Sequence, residues 1–191
     1  QLGVDEVVAH RWTEPFARTR DQQVASALHV PFRLYEGETL LPPGQIRTGK
    51  GSPYAVFTPY SRMFGKVFEP CPPLPAPARI RSIRAPVELK SVPIPTPDEL
   101  NLTTSPQRLR GGEGAAKERL ERFIGDRMQQ YDTGRDQMGL SGTSRLSQDL
   151  KFGTVSVRTV WHRVLSEVDP HPSREAFLRQ LIWREFSHSC L

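Results

Sequence analysis

Three hydroxyl side chains fall within five residues in the second half of the sequence, which runs Gly142-Thr143-Ser144-Arg145-Leu146-Ser147-Gln148-Asp149-Leu150-Lys151-Phe152-Gly153. A glycine bounds the stretch at each end, as is typical of turns. A threonine or serine at a helix start accepts hydrogen bonds from the first free backbone N–H groups, and the remaining N–H groups can seat an anion. The stretch therefore predicts a short capped helix, and it is a candidate phosphate site. An ordinary capped helix without a ligand would also explain it.

The composition restricts the class of protein only mildly. The 191 residues carry 26 Lys and Arg against 21 Asp and Glu, a formal net charge of +5, which permits nucleic-acid binding without requiring it. Cys71 and Cys190 are far apart and lack a CxxC or histidine partner, which argues against a disulfide framework and a structural zinc site. We expect no metal and a reducing, cytoplasmic location. No apolar run approaches the roughly 20 residues that span a bilayer, so no membrane association is expected.

The two chain ends predict an internal fragment of a longer protein. Gly3 follows residues that look like the end of a helix, and the helical pattern that reaches Leu191 has no terminator.

The first seventy residues show the strand–helix–strand order of an α/β domain. The apolar run 6–10 and the alternating run 30–35 predict strands, and a further short helix should end near Val67. The sequence Thr13-Glu14-Pro15 predicts a helix start with Thr13 as its cap. Two strands joined by a helix imply a parallel sheet. The buried side of the joining helix is predicted to carry Phe16, Val24, Ala25 and Leu28.

A proline-rich segment follows. Nine of the eighteen prolines lie in residues 70–97, a density that excludes a helix or a central strand. We predict a long extended connector over residues 70–114, between a domain at 1–69 and a domain at 115–191.

The second half has the apolar spacing of helices. Ser156 and Ser173 should cap the last two of them, and the helix after Ser156 should carry one apolar stripe formed by Val157, Val160, Trp161, Val164, Leu165 and Val168. The final helix is apolar nearly all round, yet it contains Gln180, Arg184 and Glu185, which therefore need partners or a ligand. The first helix is predicted from Glu113 to Tyr131, with its apolar side formed by Ala116, Leu120, Phe123, Ile124, Met128 and Tyr131.

Four pieces of the sequence, in the same order, resemble motifs of the DNA photolyase/cryptochrome family, and most closely the bacterial photolyases of its first class. They are Leu41-Pro42-Pro43-Gly44 with Tyr54-Ala55-Val56-Phe57-Thr58-Pro59-Tyr60, Gly112-Glu113-Gly114-Ala115-Ala116, Thr143-Ser144-Arg145-Leu146-Ser147 with Lys151-Phe152-Gly153, and Leu181-Ile182-Trp183-Arg184-Glu185-Phe186. Each piece alone is weak evidence, whereas the four together are strong.

The resemblance implies an architecture and an activity. Residues 1–69 would be the C-terminal part of a Rossmann-like α/β antenna domain, and 115–191 the N-terminal part of an all-helical FAD-binding domain. The implied enzyme is a deoxyribodipyrimidine photolyase, a carbon–carbon lyase acting on UV-damaged DNA. Excited reduced FAD passes an electron to a flipped-out cyclobutane pyrimidine dimer, the ring bonds split, and the electron returns. We expect a monomer with no protein partner, and we expect the 191 residues alone to be inactive and to bind FAD poorly.

The resemblance also implies roles for individual residues. Glu14 matches a glutamate that holds the pterin ring of a folate antenna, although a deazaflavin antenna is the other option, and a first-turn acid of a helix would explain Glu14 equally. Tyr131 and Phe177 could also be core aromatics, and Arg184 could form a buried salt bridge. The implied FAD contacts are Tyr131, Thr143, Ser144, Arg145, Leu146, Ser147, Phe177 and Arg184.

Three further residues match DNA contacts of the family. Arg135 would neutralise a backbone phosphate, Trp183 would stack on the flipped base, and Gln180 would hydrogen-bond a pyrimidine edge. A solvated loop arginine and a core tryptophan are the simpler explanations of the first two. No Ser-His-Asp or Cys-His set suggests another catalytic chemistry.

Three alternatives stay open from the sequence. A cryptochrome-type blue-light photoreceptor would keep FAD without repair. A (6-4) photoproduct enzyme would need active-site histidines further along the chain. Without the resemblance, the second half is a helical module that binds a phosphorylated ligand or an acidic partner.

Overall fold

The first part of the molecule is a small parallel β-α-β unit. The computed structural model describes residues 3–80, 92–103 and 105–191. Strands β1 (Val7–His10) and β2 (Phe32–Tyr35) pair in parallel, with Val7 opposite Phe32 and His10 opposite Tyr35, and helix α1 (Pro15–Ala27) joins them. A parallel pair requires such a crossover. The predicted strand–helix–strand order is confirmed.

Helix α1 differs from the prediction at its start. Its N-cap is Glu14, and no side chain caps it. The backbone N–H and the hydroxyl of Thr13 donate instead to the Glu38 carboxylate, at 3.1 and 3.3 Å, so the predicted Thr13 cap was wrong. The hydroxyl is bound by a residue 25 positions away, which local spacing could not reveal.

The buried side of α1 was also predicted wrongly. Ala17 and Asp21 are buried, whereas Phe16 is 77% exposed and Val24 is 37% exposed. The other two residues predicted on the buried side are not buried either, since Ala25 is exposed and Leu28 is half-buried. The helix has few apolar residues, so it has no continuous apolar stripe from which its buried side could be predicted.

The remaining elements are helical. They are α2 (Phe57–Val67), α3 (Glu113–Arg122), a wide π-type turn (Phe123–Arg127), a 3-10 turn (Met128–Gln130), α4 (Tyr131–Gly134), α5 (Ser147–Phe152), α6 (Val157–Glu167) and α7 (Pro172–Ser189). The predicted helix from Glu113 to Tyr131 is therefore helical throughout, but it changes its hydrogen-bonding pattern from Phe123 onward.

Two predicted serine caps had different outcomes. The Ser156 hydroxyl accepts from the backbone N–H of Thr159 at 3.0 Å, which confirms it as the cap of α6. The N-cap of helix α7 is His171, two residues before the predicted cap, and the helix begins at Pro172, so Ser173 is not its cap. The buried Ser173 hydroxyl lies 2.6 Å from Asp132 Oδ1 instead and ties α7 to α4.

A single hydrophobic cluster joins the first part of the chain to the helices. Leu40, Ile46, Tyr60 and Phe64 pack with buried residues of α3, α6 and α7. The predicted apolar side of α3 is buried, with Ile124 half-buried, and the α6 stripe is buried except for half-buried Leu165. These long-range contacts fix the position of α7, which forms one wall of the site described below.

The proline-rich segment is irregular wherever the structure describes it. Residues 68–80, 92–103 and 105–112 contain neither helix nor strand. Pro86 and the rest of 81–91 lie outside the described residues, as do Gln1 and Leu2, so the connector stays a prediction. None of the described helices is both long and apolar enough to cross a membrane.

Candidate functional site

A cleft of about 390 Å³ lies between α7 and the segment 144–151. Its lining combines an apolar floor with hydroxyl, amide and cationic groups. The lining residues are Tyr131, Ser144, Leu146, Ser147, Leu150, Lys151, Phe177, Gln180, Leu181, Arg184 and His188. Seven of these were singled out from the sequence, and the fold brings them together from positions up to 53 residues apart (131 to 184). The other four, Leu150, Lys151, Leu181 and His188, were assigned no role from the sequence.

Aromatic rings build the floor of the cleft. Tyr131 packs edge-to-face on Phe177, with ring centroids 5.2 Å apart, and on Phe123 at 5.6 Å. The π-type turn precedes Tyr131 and sets its angular position, and such turns are frequent at functional sites. Burial raises the pKa of the Tyr131 hydroxyl, so this group stays protonated and can donate. The floor suits a flat, largely apolar ring.

The polar side of the cleft carries positive charge. Arg184 Nη1 donates to the Glu38 carbonyl at 2.8 Å and lies 3.4 Å from Glu185 Oε1. Lys151 pairs with Glu14. Burial lowers the pKa of His188, and the charges of Arg184 and Lys151 lower it further, against the opposing effect of Glu38 and Glu14. This side of the cleft suits an anionic group.

The hydroxyl-rich stretch folds differently from the predicted capped helix. Helix α5 begins at Ser147, and its N-cap is Leu146, whose N–H lies 3.4 Å from the Ser144 hydroxyl. Arg145 turns the chain with φ of +55°, a left-handed conformation that is uncommon for a residue with a side chain. Because of this turn, Ser144 and Ser147 line the cleft, whereas Thr143 and Arg145 are outside its lining. No hydroxyl side chain caps α5, so the prediction of a hydroxyl cap was wrong.

Gly134 and Gly142, at the two ends of the loop that precedes the hydroxyl-rich stretch, lie with their backbones in close contact. A Cβ on Gly142 would lie 2.3 Å from the carbonyl oxygen and 2.4 Å from the carbonyl carbon of Gly134. These are backbone atoms, so they cannot rotate out of the way as a flexible side chain can. The two ends of the loop 134–142 can therefore approach this closely only because Gly142 has no side chain.

Gly142→Ala is expected to lower the free energy of unfolding by about 1–3 kcal/mol, because the two crossing backbone segments must separate. The measurement is urea denaturation followed by circular dichroism. Gly139→Ala is the matched control in the same loop, since a Cβ there meets nothing within 4 Å. Equal stability of the two variants would contradict the close crossing.

A buried ion pair holds α5 against α3. Arg119 Nε and Nη2 donate to the two carboxylate oxygens of Asp149 at 2.8 and 3.0 Å, and both side chains are buried. Asp149 also accepts from the Thr154 hydroxyl at 3.1 Å. Neither Arg119 nor Asp149 was predicted as important, because their pairing spans 30 residues.

A carboxylate on α7 binds the loop after β2. Glu185 Oε2 accepts from the backbone N–H groups of Leu40 and Leu41 at 2.7 and 3.2 Å. Burial raises the pKa of Glu185 to about 7, against the opposing effect of those N–H groups and of Arg184. The prediction that Glu185 needs a partner is confirmed.

The predicted DNA contacts do not all lie in the cleft. Gln180 lines it, whereas Trp183 lies outside its lining, is 42% exposed and stacks on Phe57 with ring centroids 3.7 Å apart. Trp183 is therefore not a core tryptophan. The Arg135 guanidinium lies 5.9 Å from the Tyr131 ring centroid, so it is more than a solvated loop arginine.

Glu14 lies apart from the lining of the cleft. It contacts Lys151, which lines both this cleft and a second one of about 210 Å³ that includes His10, Trp12 and Glu38.

The chain is similar to known proteins over most of its length. The family model described as DNA photolyase matches residues 1–78. The deoxyribodipyrimidine photo-lyase of Streptomyces griseus is 34% identical over 190 residues, which are 92% of this chain and 38% of that protein. An uncharacterized 31.6 kDa protein of a Synechococcus species is 33% identical over 93% of this chain and 65% of its own length.

A solved structure has the same fold. The crystal structure of a bacterial class III photolyase from Agrobacterium tumefaciens fits with a TM-score of 0.84 at 29% identity, over 99% of this chain and 41% of that one. The chain belongs to the DNA photolyase/cryptochrome family and matches a part of its members. The predicted family is confirmed, whereas the closer likeness to the first class stays a prediction.

Proposed function

We propose that the protein of which this chain forms part repairs cyclobutane pyrimidine dimers in DNA under blue light, with FAD as its cofactor. The observation that carries the proposal is the cleft, which combines an aromatic floor with a hydroxyl-bearing and cationic side. Relatives named deoxyribodipyrimidine photo-lyase support the activity. The chain spans 38% of the first of them, so the activity of the whole protein is part of the proposal.

The side chains in the cleft fit FAD. A flat isoalloxazine or adenine ring suits Tyr131 and Phe177, and a pyrophosphate suits the Ser144 and Ser147 hydroxyls with Arg184 nearby. The volume lies in the range of small-molecule sites. When bound, a reduced flavin supplies the electron that light drives onto the lesion.

The chain's own residues then act by positioning. Gln180 lies on α7 in the cleft, and Trp183 lies one turn later at the surface, so the two can hold the edge and the face of one extruded base. Arg135, beside Tyr131, is placed to contact a backbone phosphate. Thr143 and Arg145, next to the cleft in sequence, and Glu14 beside the second cleft are proposed as peripheral contacts to FAD and to a folate or deazaflavin antenna.

The domain organisation is part of the same proposal. Residues 1–69 would belong to the α/β antenna domain, 70–114 to the connector and 115–191 to the FAD-binding domain. We further propose a cytoplasmic monomer.

The deciding experiment uses the reduced full-length protein with DNA containing thymine dimers, and counts dimers in the dark and under blue light. We expect light-dependent loss of dimers. Trp183→Ala should weaken binding to the damaged DNA roughly 10- to 100-fold, because base stacking on an aromatic ring is worth about 1–3 kcal/mol. Arg179→Ala, an exposed change on the same helix outside the cleft, serves as the control.

Other outcomes would select other functions. Bound flavin without repair would indicate a photoreceptor. Repair of (6-4) photoproducts alone would mean that this lesion, and not the cyclobutane dimer, is the substrate. If the protein neither binds flavin nor repairs DNA, the remaining function is that of a helical module that binds a phosphorylated ligand.

A further inference from the structure

We propose that His188 is the third cation of an anion-binding end of the cleft, and that it takes up a proton when a diphosphate group binds there. The proposal rests on the proposed function for the identity of the ligand, the pyrophosphate of FAD. It adds a residue that the sequence motifs did not mark, and it makes cofactor binding depend on pH.

The first observation is the grouping of basic side chains. Lys151 from α5 and Arg184 and His188 from α7 all line the same cleft, and Arg184 and His188 are one helical turn apart. Burial lowers the pKa of His188, and the charges of Arg184 and Lys151 lower it further against the opposing effect of Glu38 and Glu14, which favours the neutral imidazole while no anion is present. A bound dianion would offset the two positive charges and so favour protonation.

The second observation concerns which ring nitrogen is available. His188 Nδ1 lies 2.7 Å from the Thr13 hydroxyl oxygen, and that hydroxyl lies 3.3 Å from Glu38 Oε2. A Thr13 hydroxyl that donates to the Glu38 carboxylate accepts a hydrogen bond from Nδ1–H, and this tautomer leaves Nε2 for the cleft. A neutral Nε2 carries a lone pair, which repels an anionic oxygen. A protonated Nε2 instead donates a charge-assisted hydrogen bond to it.

The third observation is a carboxylate that supports the charged form. Glu38 Oε2 lies 3.9 Å from His188 Nδ1, and both side chains are mostly buried. Glu14 is the other acidic group that acts on the imidazole, and it is already paired with Lys151. The Glu38 carboxylate on the Nδ1 side and a bound phosphate on the Nε2 side would together stabilise the imidazolium form of His188.

The consequence for affinity follows from linkage. Between the low pKa of His188 in the free protein and its raised pKa in the complex, binding takes up as much as one proton. The affinity for FAD therefore rises by up to about tenfold for each unit by which the pH falls in that window. Above the window the affinity is independent of pH.

The test is isothermal titration calorimetry of FAD into the full-length apoprotein near pH 6.5, the ordinary pKa of histidine, in two buffers with different ionisation enthalpies. We expect uptake of a fraction of a proton with FAD and none with riboflavin, which has the same ring system but no phosphate. His188→Gln should abolish the uptake and flatten the pH profile of Kd. His188→Lys should keep tight binding and also lose the pH dependence.

Two controls separate this proposal from a structural role of the histidine. Glu38→Gln should reduce the uptake, whereas His162→Gln, on α6 and outside the cleft, should leave it unchanged. FAD binding by the wild-type protein without proton uptake, or with the same uptake in His188→Gln, would overturn the proposal alone. Failure of the wild-type protein to bind FAD at all would overturn the proposed function, and this inference with it.

Discussion

Arg119→Met is expected to lower the free energy of unfolding by about 3–5 kcal/mol, because it leaves the Asp149 carboxylate buried without its counter-charge. Asp149 is 2% exposed and shares two hydrogen bonds with the guanidinium. The methionine also removes the donor that Arg119 Nη2 offers to the Arg110 carbonyl at 2.9 Å. A loss of this size is a large part of the roughly 5–15 kcal/mol that typically holds a domain folded.

Urea denaturation of the full-length protein, followed by circular dichroism, measures this effect. The double variant Arg119→Met/Asp149→Leu should recover most of the stability, since replacing both charges by apolar side chains removes the unpaired ion. Lys117→Met breaks an exposed pair with Glu113 on the same helix and should change the stability little. If Arg119→Met were as stable as Lys117→Met, the ion pair would not hold α5 in solution.

Glu185→Gln is expected to stabilise the protein above pH 7 by up to about 3 kcal/mol relative to the wild type, and to leave it unchanged near pH 4.5. The folded pKa of Glu185 is about 7 and its ordinary value is 4.5, so between these values the folded protein holds a proton that the unfolded chain releases. Its favourable contribution is complete below pH 4.5 and is lost as the pH rises through 7. The loss is about 1.4 kcal/mol for each pH unit between the two pKa values.

Glutamine keeps the acceptor oxygen for the Leu40 and Leu41 N–H groups but does not ionise. Urea denaturation of both proteins across pH 4.5 to 8.5 gives the difference in unfolding free energy at each pH. This difference removes the effect of His188, whose lowered pKa gives both proteins an opposite slope. Glu185→Ala is the matched variant without an acceptor, and it should be less stable than Glu185→Gln at every pH. A pH-independent difference between wild type and Glu185→Gln would mean that Glu185 is ionised throughout.

Hydrophobic periodicity predicted the parts of the fold that hydrophobic burial determines. The α3 stripe through Leu120 and the α6 stripe through Val160 and Val164 are fully buried at these positions, as their spacing required. The crossover between two strands required a parallel pair. Helix α1 has no comparable apolar stripe, so hydrophobic periodicity could not predict its orientation.

Hydroxyl groups were harder to assign than apolar ones. Ser156 bonds to Thr159, three positions away, and caps its helix, whereas Thr13 and Ser173 bond to residues 25 and 41 positions away. A local capping rule cannot anticipate such partners. In the cleft, the family motifs marked Ser144 and Ser147 as contacts, whereas Lys151, although part of a motif, and His188 received no role until α5 and α7 were seen side by side.

The contacts between α7 and the loop after β2 also have a consequence for the order of folding. The hydrogen bonds that the backbone N–H groups of Leu40 and Leu41 donate to Glu185 close loops of 145 and 144 residues, and the contact between Thr13 and His188 closes one of 175. Contacts this distant in sequence carry a high loop-closure entropy and tend to form after local ones. The β-α-β unit and the helices would therefore take shape separately and dock late. The basic end of the cleft, which uses Arg184 and His188 of α7, would be completed only in that final step.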